Sequence, residues 1–147
     1  MDTALAKLKL LKDVYQDSKE VTVGPDLKVI LKVLNSEEET EAHGYAAEKY
    51  EQGISFLYGV KRETLCRAIQ SLNGTELPDI IEDTDEESSE EEKVVRHIWL
   101  RENVIKGWNQ LVIDELWKGY GDLLKDLEKR ITGDIKQESE EEQEEDK

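Results

Sequence analysis

Cys66, His43 and His97 are the side chains best able to act as nucleophile, base or metal ligand, and their spacing favours none of these roles. The chain of 147 residues has one cysteine and two histidines, which make no zinc set at a recognisable spacing. Cys66 lies in "TLCRAIQ", three residues before Ile69 on an expected helix, where a thiol reads as a small core hydrophobe. His43 could meet Cys66 in space, but no motif for an activated thiol links them. Acidic residues number 36, yet almost all fall in hydrophilic runs, whereas acid–base catalysis needs two partly buried carboxyls. Gly119-Tyr120-Gly121 lacks the third glycine of a phosphate loop and lies inside a helical stripe. The sequence therefore implies a non-enzymatic protein with no cofactor and no metal.

The elements that position these residues follow from composition. Hydrophobic residues make up 37% and charged residues 38%, with a net charge of −16, so only part of the chain can build a core. The charge is concentrated in "EDTDEESSEEE" (82–92), with eight acidic and no basic residues, and in residues 133–147, with eight acidic and two basic. The first run reads as an internal linker and the second as a disordered acidic tail, since neither has the apolar surface to offset ordering. Between them, residues 1–81 and 93–132 are near neutral and are expected to share one core. The acidity argues against nucleic-acid binding. No segment reaches the ~20 apolar residues of a membrane span. The N-terminus lacks a signal-peptide pattern, and a lone cysteine without such a signal points to a reducing compartment.

Leu5, Leu8, Leu11 and Val14/Tyr15 recur at helical spacing and predict a short amphipathic helix packed on the body. "VTVGPDLKVILKVL" reads as a β-hairpin around Gly24-Pro25-Asp26, with Leu27, Val29, Leu31 and Val33 on the buried face. A lone hairpin is marginal in water, so it must lie on helices or join another sheet. Ser36 and Glu39 form a capping-box pattern for the next helix, followed by a small stripe of Ala42, Tyr45, Ala46 and Tyr50. Ile54, Leu57, Tyr58, Leu65, Ala68, Ile69 and Leu72 predict a helix from about 54 to 72, stopped by Asn73-Gly74.

Beyond the linker, Ser89 and Glu92 repeat the capping pattern before a helix led by Val94, Val95, Ile98 and Trp99. Ile113, Trp117, Tyr120, Leu124, Leu127 and Ile131 then recur at alternating fours and threes, widened by Leu116 and Leu123. Gly119 and Gly121 each cost a helix interior about 1 kcal/mol, which predicts close packing or a ligand's approach there. Trp99, Trp108 and Trp117 are equally spaced, so on one continuous helix Trp108 would oppose the other two. Gly107 offers a break that would bring Trp108 inward; otherwise it is exposed to a partner. The expected fold is mostly α with a small N-terminal β-hairpin (α+β), a bundle of about four to five helices with the hairpin packed on it.

This order of elements resembles tail assembly chaperones and baseplate-associated proteins of tailed bacteriophages. The resemblance is carried by Val29, Leu31, Leu34, Glu37, Glu38, Glu41 and Ala42 in the first part. Ser71, Leu72, Asn73 and Gly74 match a later step, and Leu116, Tyr120 and Leu123 match the last helix. It covers about residues 20–130, and the acidic run at 82–92 departs from the family pattern. The resemblance implies a virion-assembly role in the host cytoplasm: holding a helical tail component, such as the tape-measure protein, until tube subunits polymerise. Such a role requires an apolar stripe that receives an amphipathic helix. Trp108, Leu116, Trp117, Tyr120, Leu124 and Leu127 are the residues expected to form it. A structural part of the baseplate or tail is the related alternative. An acidic decoy of a DNA-acting host enzyme is the alternative of another class, using Glu37, Glu38, Glu41 and Glu48 together with 82–92. Salt would separate the two classes, because a decoy complex weakens steeply with ionic strength.

Overall fold

Gly24-Pro25-Asp26 closes the first hairpin of the computed structural model, which describes residues 3–50, 53–84 and 91–145 and, of these, the side chains of all but 12, 13, 83, 84, 91, 92 and 134–145. Strands β1 (Ser18–Val23) and β2 (Leu27–Lys32) pair antiparallel, with Val21 opposite Val29 and Val23 opposite Leu27. Val29 and Leu31 are fully buried, as the alternation predicts. The hairpin does not stand alone. It forms half of a four-stranded antiparallel sheet ordered β1-β2-β3-β4.

The two further strands replace the end of an expected helix. Helix α3 (Ile54–Ala68) stops at Ala68, and residues 69–72 form β3 (Ile69–Leu72), which pairs with β2 through Leu31–Ile69 and Val29–Leu72. Asn73 and Gly74, with φ of 48° and 83°, turn the chain into β4 (Thr75–Glu76). Positive φ at both central residues is the hairpin turn that Asn-Gly favours, so the dipeptide ends a strand rather than a helix. Asn73 also ties this turn to the first hairpin. Its Oδ1 accepts from the Lys28 N–H at 2.7 Å and its Nδ2 donates to the Asp26 carbonyl at 3.0 Å.

Helix α2 (Ser36–Lys49) is capped one residue earlier than expected: Asn35 Oδ1 accepts from the Glu38 N–H at 2.8 Å, and Glu38 Oε1 accepts from the Asn35 N–H at 3.2 Å. It packs along α3. Burial on α3 falls in the second half, where residues 63–68 are all buried. Ile54, Leu57 and Tyr58, expected in the core, are exposed.

Three expectations for the charged and terminal segments are corrected. The acidic 82–92 run is flanked by paired strands, β5 (Ile80–Thr84) and β6 (Glu91–Val95), held in register by Ile80–Val95 and Ile81–Val94; residues 85–90, including the Ser89 cap, lie outside the described residues. The following helix, α4 (Arg96–Asn103), therefore starts after Val94 and Val95 rather than on them. Helix α5 (Gln110–Glu145) continues through most of the stretch expected to be a disordered tail. Glu, Gln and Lys are good helix formers, and an established helix extends without a new nucleation cost.

The N-terminal helix α1 (Thr3–Lys9) and the 3₁₀ turn Leu10–Asp13 bury no described residue, so the expected packing of this segment on the body is absent. Tyr15, with a left-handed φ of 64°, breaks the chain path between that turn and β1.

One core joins both halves of the chain. Val29, Leu31, Leu34, Leu65, Cys66 and Ile69 pack with Leu100, Ile105, Ile113, Leu116, Tyr120 and Leu123. Between α4 and α5 a 3₁₀ turn, Ile105–Gly107, supplies the break expected at Gly107, and Trp108 packs half-buried against the core. Among the described residues the architecture is α+β: five α-helices, a four-stranded antiparallel sheet opened by the N-terminal hairpin, and the β5–β6 pair.

Candidate functional site

Glu63 is a carboxylate in the protein interior, 2% exposed on α3, and two guanidinium groups converge on it. Arg67, one turn further along, donates through Nη1 to Glu63 Oε1 at 3.0 Å and to the Glu63 carbonyl at 3.0 Å. Arg101, from α4, approaches with its edge: Nε lies 2.9 Å from Oε2, and Nη2 also bonds Oε1. Tyr45 of α2 lies under Arg101, with its ring centroid 3.8 Å from Cζ, a favourable cation–π distance. Burial opposes the charge on Arg101, but the bonds and the negative charge of Glu63 outweigh it and raise its pKa.

Two guanidiniums share one buried carboxylate, and a second acid at the surface, Glu41, balances the remaining positive charge. The Oε2 of Glu41 lies 3.7 Å from Arg67 Nε, an ion pair beyond hydrogen-bond reach. The cluster is flanked by two clefts. One of about 220 Å³ lies beside Tyr45, Tyr50, Arg62 and Arg101. The other, about 250 Å³, is lined by Lys32, Arg67, Arg96 and His97 together with Glu38, Glu41 and Asp79.

The three residues singled out in the sequence, Cys66, His43 and His97, lie in different surroundings. Cys66 is fully buried in the core; burial first, and then the charge of Glu63, push its thiol up to about 12, far from the thiolate a nucleophile needs. His43 is exposed and its Nδ1 sits 2.8 Å from the carbonyl one turn back, on Glu39. His97 has its pKa lowered, by burial first and then by Arg67 and Arg101. Among the described residues no group of three His, Cys, Asp or Glu side chains could hold a metal ion.

The residues expected to form a docking stripe are mostly committed to the fold. Leu116 is fully buried, Tyr120 2% exposed and Leu127 8% exposed. The Tyr120 hydroxyl accepts from the Leu34 N–H at 3.4 Å, and its ring lies 5.8 Å from that of Trp117. Trp108 and Trp117 are half-buried against the core. Leu124 alone of the six is exposed. The strong periodicity of α5 marks its inner face, which the sheet and α3 cover, and this accounts for the mismatch.

Exposed apolar surface lies elsewhere. Leu5, Leu8 and Leu11 are each 58% exposed and Leu10 71%, with Val14 and Tyr15 also open. The Asp17 Oδ2–Arg130 Nη1 pair, at 3.0 Å, fixes where this segment leaves the body. That point is near the stretch of α5 where Leu124 and Ile131 are exposed. The periodicity of α1 was legible in the sequence; that none of the described residues buries it was not.

The acidic face considered for a decoy is partly neutralised. Lys32 Nζ lies 3.0 Å from Glu38 Oε2, and Glu41 faces Arg67. Among the described residues no helix is long and apolar enough to cross a membrane. No protein-family model, curated protein or solved structure matches the chain.

Proposed function

We propose that this chain is a non-enzymatic holding protein that captures an amphipathic helix of another polypeptide, in the manner of the phage tail assembly chaperones it resembles. The observation that carries this reading is the row of open leucines, Leu5 and Leu8 on α1 and Leu10 and Leu11 in the 3₁₀ turn that follows it. A seven-residue helix is marginal in water on its own, and a cluster of this kind of exposed apolar side chains marks an interaction surface. Lys7, Lys9 and Lys12 accompany the leucines, so the matching partner is an acidic amphipathic helix. The body of the protein supplies a rigid support, and its net negative charge of −16 keeps the holding complex dissolved. The tape-measure protein of a tail is the candidate client, with the host cytoplasm as the site of assembly.

The test is co-expression of the chain with the tape-measure protein of the genome that encodes it. Leu8→Glu and Leu11→Glu together are expected to abolish co-purification while leaving the circular dichroism spectrum and thermal midpoint unchanged. Undiminished capture by that double variant, or no capture by the unaltered chain, refutes the reading.

A further inference from the structure

The cleft of about 250 Å³ between the end of β2, α2, the end of α3 and the start of α4 is built differently from the rest of this acidic surface. Two of its cations, Arg67 and Arg96, are largely buried, and Lys32 is partly exposed. The Arg67 side chain is 6% exposed, Arg96 14% and Lys32 28%. Two of its three acids stand on the rim: the Glu41 side chain is 53% exposed and Asp79 92%; Glu38, at 25%, is held by Lys32.

Arg67 is the least satisfied member. Its Nη1 is spent on Glu63, whose carboxylate is shared with Arg101. Its Nε–H, buried in the wall of this cleft, has no hydrogen-bond partner. Leaving a buried charged donor unpaired is costly, so the fold carries at Arg67 Nε a donor without a bonded acceptor. Glu41 supplies charge at 3.7 Å but not the bond, and being exposed it can rotate into solvent at little cost. The same holds for Asp79, which meets Arg96 Nη1 at 3.1 Å. Arg96 would keep its anchor to the Leu77 carbonyl at 3.0 Å if Asp79 left.

We propose that this cleft is an oxyanion site that takes a phosphate group, with Arg67 Nε as its central donor and Arg96 and Lys32 as flanking cations. A phosphate presents several acceptor oxygens and up to two negative charges, matching a directed guanidinium donor with two further cations. On entry it displaces Glu41 and Asp79 to solvent and supplies the acceptor that Arg67 lacks. The volume admits a phosphate together with a small part of what carries it. This site is independent of the α1 surface, and its test does not depend on protein capture.

The experiment is titration of the folded chain with inorganic phosphate, and separately with acetate, at constant ionic strength. The readouts are calorimetry and the nuclear magnetic resonance signals of the arginine Nε–H groups. Phosphate is expected to shift the Arg67 Nε–H resonance and raise the thermal midpoint, with acetate much weaker. Glu41→Gln, which removes the competing rim acid, should tighten phosphate binding by about tenfold, the scale of one charge-assisted bond. Lys32→Gln should weaken it by a similar factor. Arg67→Lys keeps the charge but removes the Nε donor, and should abolish the midpoint increase. No response at 10 mM phosphate in either the unaltered chain or Glu41→Gln overturns the proposal. So does equal binding of phosphate and acetate, or unchanged affinity in Glu41→Gln.

Discussion

Val21 fills the space that a side chain at position 119 would need: a Cβ on Gly119 would stand 2.5 Å from Val21 Cγ2 and 2.9 Å from Cγ1. Helix α5 thus packs on β1 through a glycine. Gly119→Ala is expected to destabilise the fold by about 1–3 kcal/mol through overpacking, although alanine is the better helix former. Val21→Ala in the same chain should recover much of the loss. Gly121, two residues on, has open space around it, and Gly121→Ala should stabilise by up to about 1 kcal/mol. Urea denaturation of the four chains distinguishes these outcomes, and equal effects at 119 and 121 would contradict the packing described.

Removing Glu63 leaves Arg67 and Arg101 facing one another without their shared acceptor. Breaking a buried ion pair in this way costs about 3–5 kcal/mol, so Glu63→Ala should shift the denaturation midpoint more than any single change at the surface pairs. Lys93–Glu82, at 3.9 Å between exposed groups, is the control, and Lys93→Ala should change stability by less than about 1 kcal/mol. Comparable losses for the two variants would show that the Glu63 cluster is not interior in solution.

Cys66 provides a probe of global opening. With its thiol fully buried and pushed up to about 12, it should resist alkylation at pH 8 in the native protein and react at once in denaturant. Labelling followed over time by mass spectrometry should track the unfolding equilibrium across urea concentrations. Rapid stoichiometric labelling without denaturant would refute the burial.

His97 ties stability to pH. Its native pKa lies below the ordinary 6.5, owing to burial and then to Arg67 and Arg101, with Glu41 and Glu63 acting in the opposite direction. Above 6.5 both states are neutral at this site. As pH falls through that value, the unfolded chain takes up a proton that the native chain refuses, and stability declines until the native group also protonates. His97→Gln should therefore flatten the fall in stability between pH 7.5 and 6 relative to the unaltered chain. An identical pH profile for the two proteins would contradict the shift.

The first hairpin, its buried face, the break at Gly107 and the tight approach at Gly119 were all legible in the residues. Each rests on local chemistry: alternation, turn residues, or a glycine retained where alanine would favour the helix. β3 was hidden because Ile69 and Leu72 continue the helical period of Leu65 and Ala68 past the end of α3 into the strand. The Asn73-Gly74 signal is ambiguous between helix stop and hairpin turn until β2 is known to lie alongside. The β5–β6 pair was obscured by a run of like charges, whose pairing is anchored at its apolar end. The Glu63 cluster had only the i, i+4 spacing of Glu63 and Arg67 to announce it. That spacing is common on solvated helices, and its partner Arg101 is remote in sequence. The apolar stripe of α5 was legible, but what covers it was not: a strong stripe marks what a helix buries, without saying whether the same chain or another covers it.

The β5–β6 hairpin pairs only with itself among the described strands, and none of its described side chains belongs to the buried core. Its base is clasped where Arg96 meets Asp79 and the Leu77 carbonyl, so whatever lies past that clasp contributes little to holding the remainder of the molecule. Evolution can lengthen, shorten or recharge this arm freely. Relatives of the protein should differ most in length there, and a fluorescent or affinity tag inserted between Thr84 and Glu91 should leave the fold intact.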